Sequence, residues 1–122
     1  MARQERKISD AESAAFLARM PGWSIIDGWL TRLYKTDGWP TTLMLVNAIG
    51  FAAEAADHHP DLAVAWPSVT VRLRTHSANG LTVKDLELAQ KLEEVALWRP
   101  PAKGPESLTG TTRAFVKGDA AK

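Results

Sequence analysis

The sequence contains no cysteine, which removes disulfide scaffolds, zinc ribbons and thiol nucleophiles from consideration. It also lacks a dominant charge: 15 basic and 14 acidic residues leave a formal net charge of +1, unlike a nucleic-acid-binding surface. Long apolar runs are missing. The longest, Leu43 to Ala53, is broken by Asn47 and Gly50, whereas a membrane span needs about 18 uninterrupted apolar residues. The first residues, Met1 to Lys7, carry no apolar stretch of the kind a secretory signal uses. Glycine-rich phosphate loops and a Gly-x-Ser-x-Gly turn are absent as well. These absences lead us to expect a cytoplasmic protein without membrane or nucleic-acid partners.

What is present is an ordinary globular composition, 45% hydrophobic and 24% charged over 122 residues. That suffices for one hydrophobic core and not for two domains. From Arg99 onward five basic residues face two acidic ones, and three prolines and three glycines fall in the same stretch. We therefore expect an N-terminal extension over 1–8, a folded body over 9–98 and a flexible basic tail over 99–122.

Within the body, Ser9-Asp10-Ala11-Glu12 reads as a capping box opening a short helix that carries Phe16, Leu17 and Met20 inward and stops at Pro21-Gly22. Two β-prone runs, Trp23 to Ile26 and Trp29 to Lys35, flank Asp27-Gly28 and predict a hairpin. Thr36 or Asp37 can cap a second helix running to about Ala56, with Pro40 in its first turn. That helix has almost no polar face, so burial on both sides is expected, with a second subunit as the covering surface. Leu62 to Trp66 and Val69 to Thr75 predict another hairpin around Pro67-Ser68, with Val69, Val71 and Leu73 facing inward and Thr70, Arg72 and Arg74 outward. Arg72 and Arg74 read either as a solvated strand face or as a docking aid. Thr82 to Asp85 forms another capping box, opening a helix that stops before Pro100. The order α-β-β-α-β-β-α is an α+β domain: a four-stranded antiparallel sheet with three helices on one face.

All three histidines, His58, His59 and His76, fall near the acids Glu54, Asp57 and Asp85. Glu54 and His58 are four apart and can share a helix face. The second hairpin doubles the chain back, so His76 could approach the adjacent pair. Imidazole exchanges protons near neutral pH, so two such groups on opposite sides of a small molecule could drive an elimination. A metal site is disfavoured, because adjacent histidines point in different directions and no helical HExxH pair occurs. Asp85 reads equally as a helix cap and as a catalytic acid.

Glu54-Ala-Ala-Asp57-His58-His59-Pro60, five residues, Trp66, nine residues, His76, eight residues, Asp85: this pattern resembles the pterin-4a-carbinolamine dehydratase family. That family includes 4a-hydroxytetrahydrobiopterin dehydratase, also a dimerisation cofactor of a homeodomain transcription factor. Gly22-Trp23, Gly28 and Leu30-x-Arg32-x-Tyr34 resemble its first hairpin, and Asn79-Gly80-Leu81-Thr82 its strand-to-helix junction. The similarity covers about residues 9 to 97. It implies removal of water from 4a-hydroxytetrahydropterin to give the quinonoid dihydropterin, recycling the pterin of aromatic amino-acid hydroxylases. It further implies His58 and His76 as proton-transfer groups, His59 as a binding group, Glu54, Asp57, Trp66 and Asp85 in support, and no cofactor or metal. A dimer or tetramer through the second helix and a sheet edge is implied as well. Some relatives instead act without catalysis, as transcription-factor partners or assembly factors for a carbon-fixing enzyme. Lys84 stands where the family often has Arg, and the tail from Arg99 has no counterpart.

Overall fold

The computed structural model describes residues 5–118. Three helices and a four-stranded antiparallel sheet follow in the order α1 (Asp10–Arg19), β1 (Trp23–Ile26), β2 (Trp29–Lys35), α2 (Trp39–Ala56), β3 (Asp61–Ala65), β4 (Ser68–Leu73) and α3 (Val83–Leu97), with one short 3₁₀ turn at His76–Ala78. The spatial strand order is β1-β2-β4-β3. This is the α+β arrangement the hydrophobic pattern predicted.

Local chemistry sets most boundaries. Ser9 accepts the Glu12 amide while Glu12 accepts the Ser9 amide, completing the capping box of α1. The chain leaves that helix through Gly22, whose φ of +96° suits glycine. A Cβ there would also lie 2.7 Å from the Arg32 guanidinium. Asp27 and Gly28 both have positive φ, as a two-residue hairpin turn of the twisted type requires.

Alternation then builds the core. Leu30 and Tyr34 of β2 and Val69, Val71 and Leu73 of β4 point to one face and are fully buried. Phe16, Leu45, Ile49, Leu88 and Leu92 from the three helices close over them. On the same face Glu93 of α3 accepts hydrogen bonds from Trp23 Nε1 (2.9 Å), Arg32 Nε (3.0 Å) and Tyr34 OH (2.7 Å). Burial alone would raise the Glu93 carboxyl, but bonds from Arg32, Tyr34 and Trp23 together outweigh it and hold it below its ordinary value. Burial, then the neighbouring Glu93 charge, pushes the Tyr34 phenol well up.

Three details differ from the expectation. The second hairpin turns on Trp66-Pro67, because Ala65 pairs with Ser68; Ser68 can donate and accept in the ladder, whereas Pro67 has no N–H to give. Helix α2 begins at Gly38 without a side-chain cap. Thr36 Oγ1 instead accepts the Gly38 amide, and Asp37 turns to Arg113. Apolar α2 is covered on one side within this chain, and its other side, with Leu43, Met44 and Phe51 exposed, is the face expected to meet a second subunit.

The tail is the third. Over 99–118 it carries no helix or extended strand, as its composition suggests, yet it is tied down at its end. Val116 is buried in the core cluster and bridges to Thr36, and the Lys117 amide donates to the Lys35 carbonyl at 2.7 Å. Arg113 bonds Asp37 and Thr41, and Phe115 lies within 5.2 Å of the Arg99 and Arg113 guanidinium groups. Residues 119–122, the end of the expected tail, and 1–4 of the expected extension lie outside the described residues.

Candidate active site

Strand register decides which residues meet. Asp61 pairs with Arg72, so the chain just before β3, His58-His59-Pro60, lies at the end of β4 that leads into His76. Helix α3 starts from that same end, after the antiparallel bridge between Thr75 and Gly80. All three histidines and Asp85 are thereby gathered at one end of the sheet.

His58 is held by Asp85. Helix α2 stops at Ala56, and Asp57 takes a left-handed conformation (φ 54°), which carries His58 off the helix axis. Its Nε2 lies 2.7 Å from Asp85 Oδ1. The Asp85 carboxylate is wholly buried and its second oxygen accepts the Thr75 hydroxyl (2.8 Å) and the Thr82 amide (2.9 Å). Asp85 is thus both the N3 member of the α3 capping box and the partner of His58. A carboxylate only accepts, so His58 donates through Nε2 and keeps its proton-accepting lone pair on Nδ1. Among the described residues Nδ1 has no protein partner. His58 also lines a cleft of about 390 Å³ with Asp57, Lys84, Glu87, Leu88 and Lys91.

The expected sharing of a helix face by Glu54 and His58 does not occur. Glu54 Oε1 instead takes His59 Nε2 at 2.8 Å, both side chains being exposed. The cause is the turn at Asp57, which ends helical spacing one residue before His58. Asp57 itself stays exposed at the helix terminus.

His76 begins the 3₁₀ turn, and its ring packs edge-on against Trp29, with centroids 5.8 Å apart. Its ring nitrogens make no hydrogen bond within the described residues. No hydrogen bond, ion pair or ring contact joins His76 to His58 or His59 among the described residues; what they share is one end of the sheet. Trp66 is not brought to this place. It lies at the other end of β4, about 20 Å of strand away, exposed on the β3–β4 turn, where its carbonyl accepts the Thr42 hydroxyl.

Two residues here carried no signal in the sequence. Glu5 accepts a hydrogen bond from Ser77, beside His76, and forms an ion pair with Lys84 at 3.2 Å. Those two contacts, Ser77 first, hold its carboxyl below the usual range. The Ile8 amide donates to the Leu81 carbonyl, so residues 5–8 are fastened across the loop joining His76 to Asp85. The second is Trp29, the wall for His76. Neither could be found without knowing the sheet order.

Residues 6–95 match the model of the family described as Pterin 4 alpha carbinolamine dehydratase. This chain belongs to that family. A protein of Aquifex aeolicus (strain VF5), provisionally named pterin-4-alpha-carbinolamine dehydratase, is 40% identical over 90 residues, covering 74% of this chain and 91% of its own. A Nocardia farcinica (strain IFM 10152) protein with the same provisional name is 38% identical over 89 residues, covering 73% and 94%. Among solved structures, the transcriptional coactivator/pterin dehydratase of Brucella melitensis superposes with a TM-score of 0.70 at 30% identity, over 74% of this chain and 98% of that one. The dehydratase family's matched region ends before the tail, and Glu5 lies just ahead of it. Among the described residues, no group of three or more His, Asp and Glu side chains is arranged to hold a metal ion, and no helix is long and apolar enough to cross a membrane.

Proposed function

We propose that this chain is a 4a-hydroxytetrahydropterin dehydratase working by histidine acid–base catalysis. The observation that carries the reading is His58 held through Nε2 by a fully buried carboxylate, at the same sheet end as His76. One histidine, as imidazolium, gives its proton to the C4a hydroxyl. The C4a–O bond breaks, water leaves, and the N5 lone pair forms the C4a=N5 double bond. The other histidine, neutral, takes the N5 proton. Proton count balances: one is delivered, one is removed, and the net change is loss of water.

We assign the two transfers to His58 and His76. Asp85 fixes the orientation and tautomer of the His58 ring through Nε2. His59, exposed and paired to Glu54, binds and orients the ring. Substituting His58 or His76 by Ala should lower kcat by about 10²- to 10⁴-fold. His59→Ala should act mainly on KM. Three variants that all turn over normally would sink the assignment.

Functionally the enzyme would recycle the pterin of aromatic amino-acid hydroxylases in the cytoplasm, as a homo-oligomer. Support for assembly is the open apolar groove of about 570 Å³ along α2 and α3, lined by Ala48, Phe51, Ala52, Ala55 and Val95. The coactivator in the name of the Brucella relative supports a second reading, a protein-binding role on the same fold. The two separate on whether dehydration is accelerated.

A further inference from the structure

The outward face of the sheet holds a cluster that the proposed proton transfers do not use. Trp29 at the start of β2 packs against His76 on one side. The Arg72 guanidinium lies over the Trp29 ring, 4.3 Å from its centroid, and that of Arg74 lies 5.9 Å away. Alternation along β4 puts Arg72 on the face opposite the core, and Arg74, one residue past the strand end, reaches the same Trp29 ring.

Their charges are not neutralised. Among the described residues, Arg74 donates only to the Asn79 amide oxygen. Asp61 stands across from Arg72 in register, yet neither arginine has a carboxylate within ion-pair distance among the described residues. A guanidinium stacked on an aromatic ring spends its face on the ring and keeps its in-plane N–H donors for something else. Those planar forks match carboxylate and phosphate oxygens. Because Trp29 touches His76, a molecule reacting at His76 has this wall of one indole and two guanidinium groups beside it.

We propose that Trp29, Arg72 and Arg74 form a recognition site for an anionic substituent, phosphate or carboxylate, on the substrate that His76 acts on. This rests on the dehydratase reading and narrows its substrate class: a pterin whose side chain carries negative charge. The ring reacts between the histidines while the substituent lies along β4 toward Arg72.

The test is equilibrium binding of stable oxidised pterins, followed by their fluorescence. Three probes are compared: 6-hydroxymethylpterin, its phosphate monoester and pterin-6-carboxylate. The wild type should bind at least one anionic probe about tenfold or more tighter than the neutral one, as charge-assisted bonds of ordinary strength imply. That preference should shrink as salt is raised. In the paired variant Arg72→Gln/Arg74→Gln the ratio of affinities should fall toward one, and in Arg72→Lys/Arg74→Lys it should be intermediate, because charge survives without the planar fork. A phosphate preference without a carboxylate preference, or the reverse, identifies the anion. Equal affinity for all three probes in the wild type would overturn this proposal alone. So would a preference that persists in the Gln pair. A protein that binds none of them would overturn the dehydratase reading as well.

Discussion

Replacing Asp85 by Asn changes one atom of a carboxylate that serves two masters. Its Oδ2 accepts the Thr82 amide at 2.9 Å and the Thr75 hydroxyl at 2.8 Å, and Oδ1 faces His58 Nε2 at 2.7 Å. In the variant the amide oxygen must stay toward the Thr82 N–H, which has no other use, so the NH₂ group faces His58. Nε2 must then accept, and the ring carries its proton on Nδ1. On the proposed assignment, the nitrogen left for the substrate then loses its basic lone pair. Rate should fall by about 10²-fold or more, within the span of a lost general acid–base group. Stability should change little, since the Asn amide oxygen at N3 still accepts the Thr82 N–H, with about 0.3–1 kcal/mol lost from the helix dipole. Asp85→Ala differs: it strands the Thr82 amide and Thr75 hydroxyl and should cost about 2–4 kcal/mol. Stopped-flow turnover, urea unfolding and ¹⁵N shifts of the His58 ring give the three readouts. Full turnover by Asp85→Asn with the tautomer reversed would refute the reasoning, as would an unchanged tautomer.

Other expectations follow from the structure. Glu12, held at about 2 first by Arg6 and then by the Ser9 amide, has a folded pKa below its unfolded value. Its contribution to α1 is therefore complete above about 4.5 and is lost as pH falls through 2; an NMR titration placing its midpoint near 4.5 would contradict this. Glu93→Gln removes a counter-charge from Arg32, itself 5% exposed, and should cost about 3 kcal/mol in urea unfolding, toward the low end for buried pairs because the Glu93 side chain keeps some contact with solvent. Val116→Ala should cost about 2 kcal/mol if the tail is part of the core, from two lost methyl groups and the space they leave. A change within 0.3 kcal/mol would show the tail undocked in solution.

Much of this architecture was legible because local signals and global packing agree. Both capping boxes, the Asp27-Gly28 turn and the alternation of Val69, Val71 and Leu73 are short-range codes that the fold obeys. The histidine set was visible as residue types, but its pairing was not. Helical spacing put His58 beside Glu54; one left-handed residue at Asp57 redirected it to Asp85, 27 positions away. The Arg32–Glu93 network and the docking of Val116 were hidden for the same reason, since partners 61 and 80 residues apart leave no periodic trace. Trp66 was grouped with the histidines through the family resemblance, and the strand length carries it to the far end of the sheet within this chain.

The most direct test of the central claim is to generate 4a-hydroxytetrahydropterin in a stopped-flow cell and follow the quinonoid product. The wild type should accelerate dehydration in proportion to its concentration, and folded His76→Ala should lose about 10²-fold or more of that acceleration. A folded wild type that leaves the uncatalysed rate unchanged would contradict the dehydratase account and turn the search toward a protein partner.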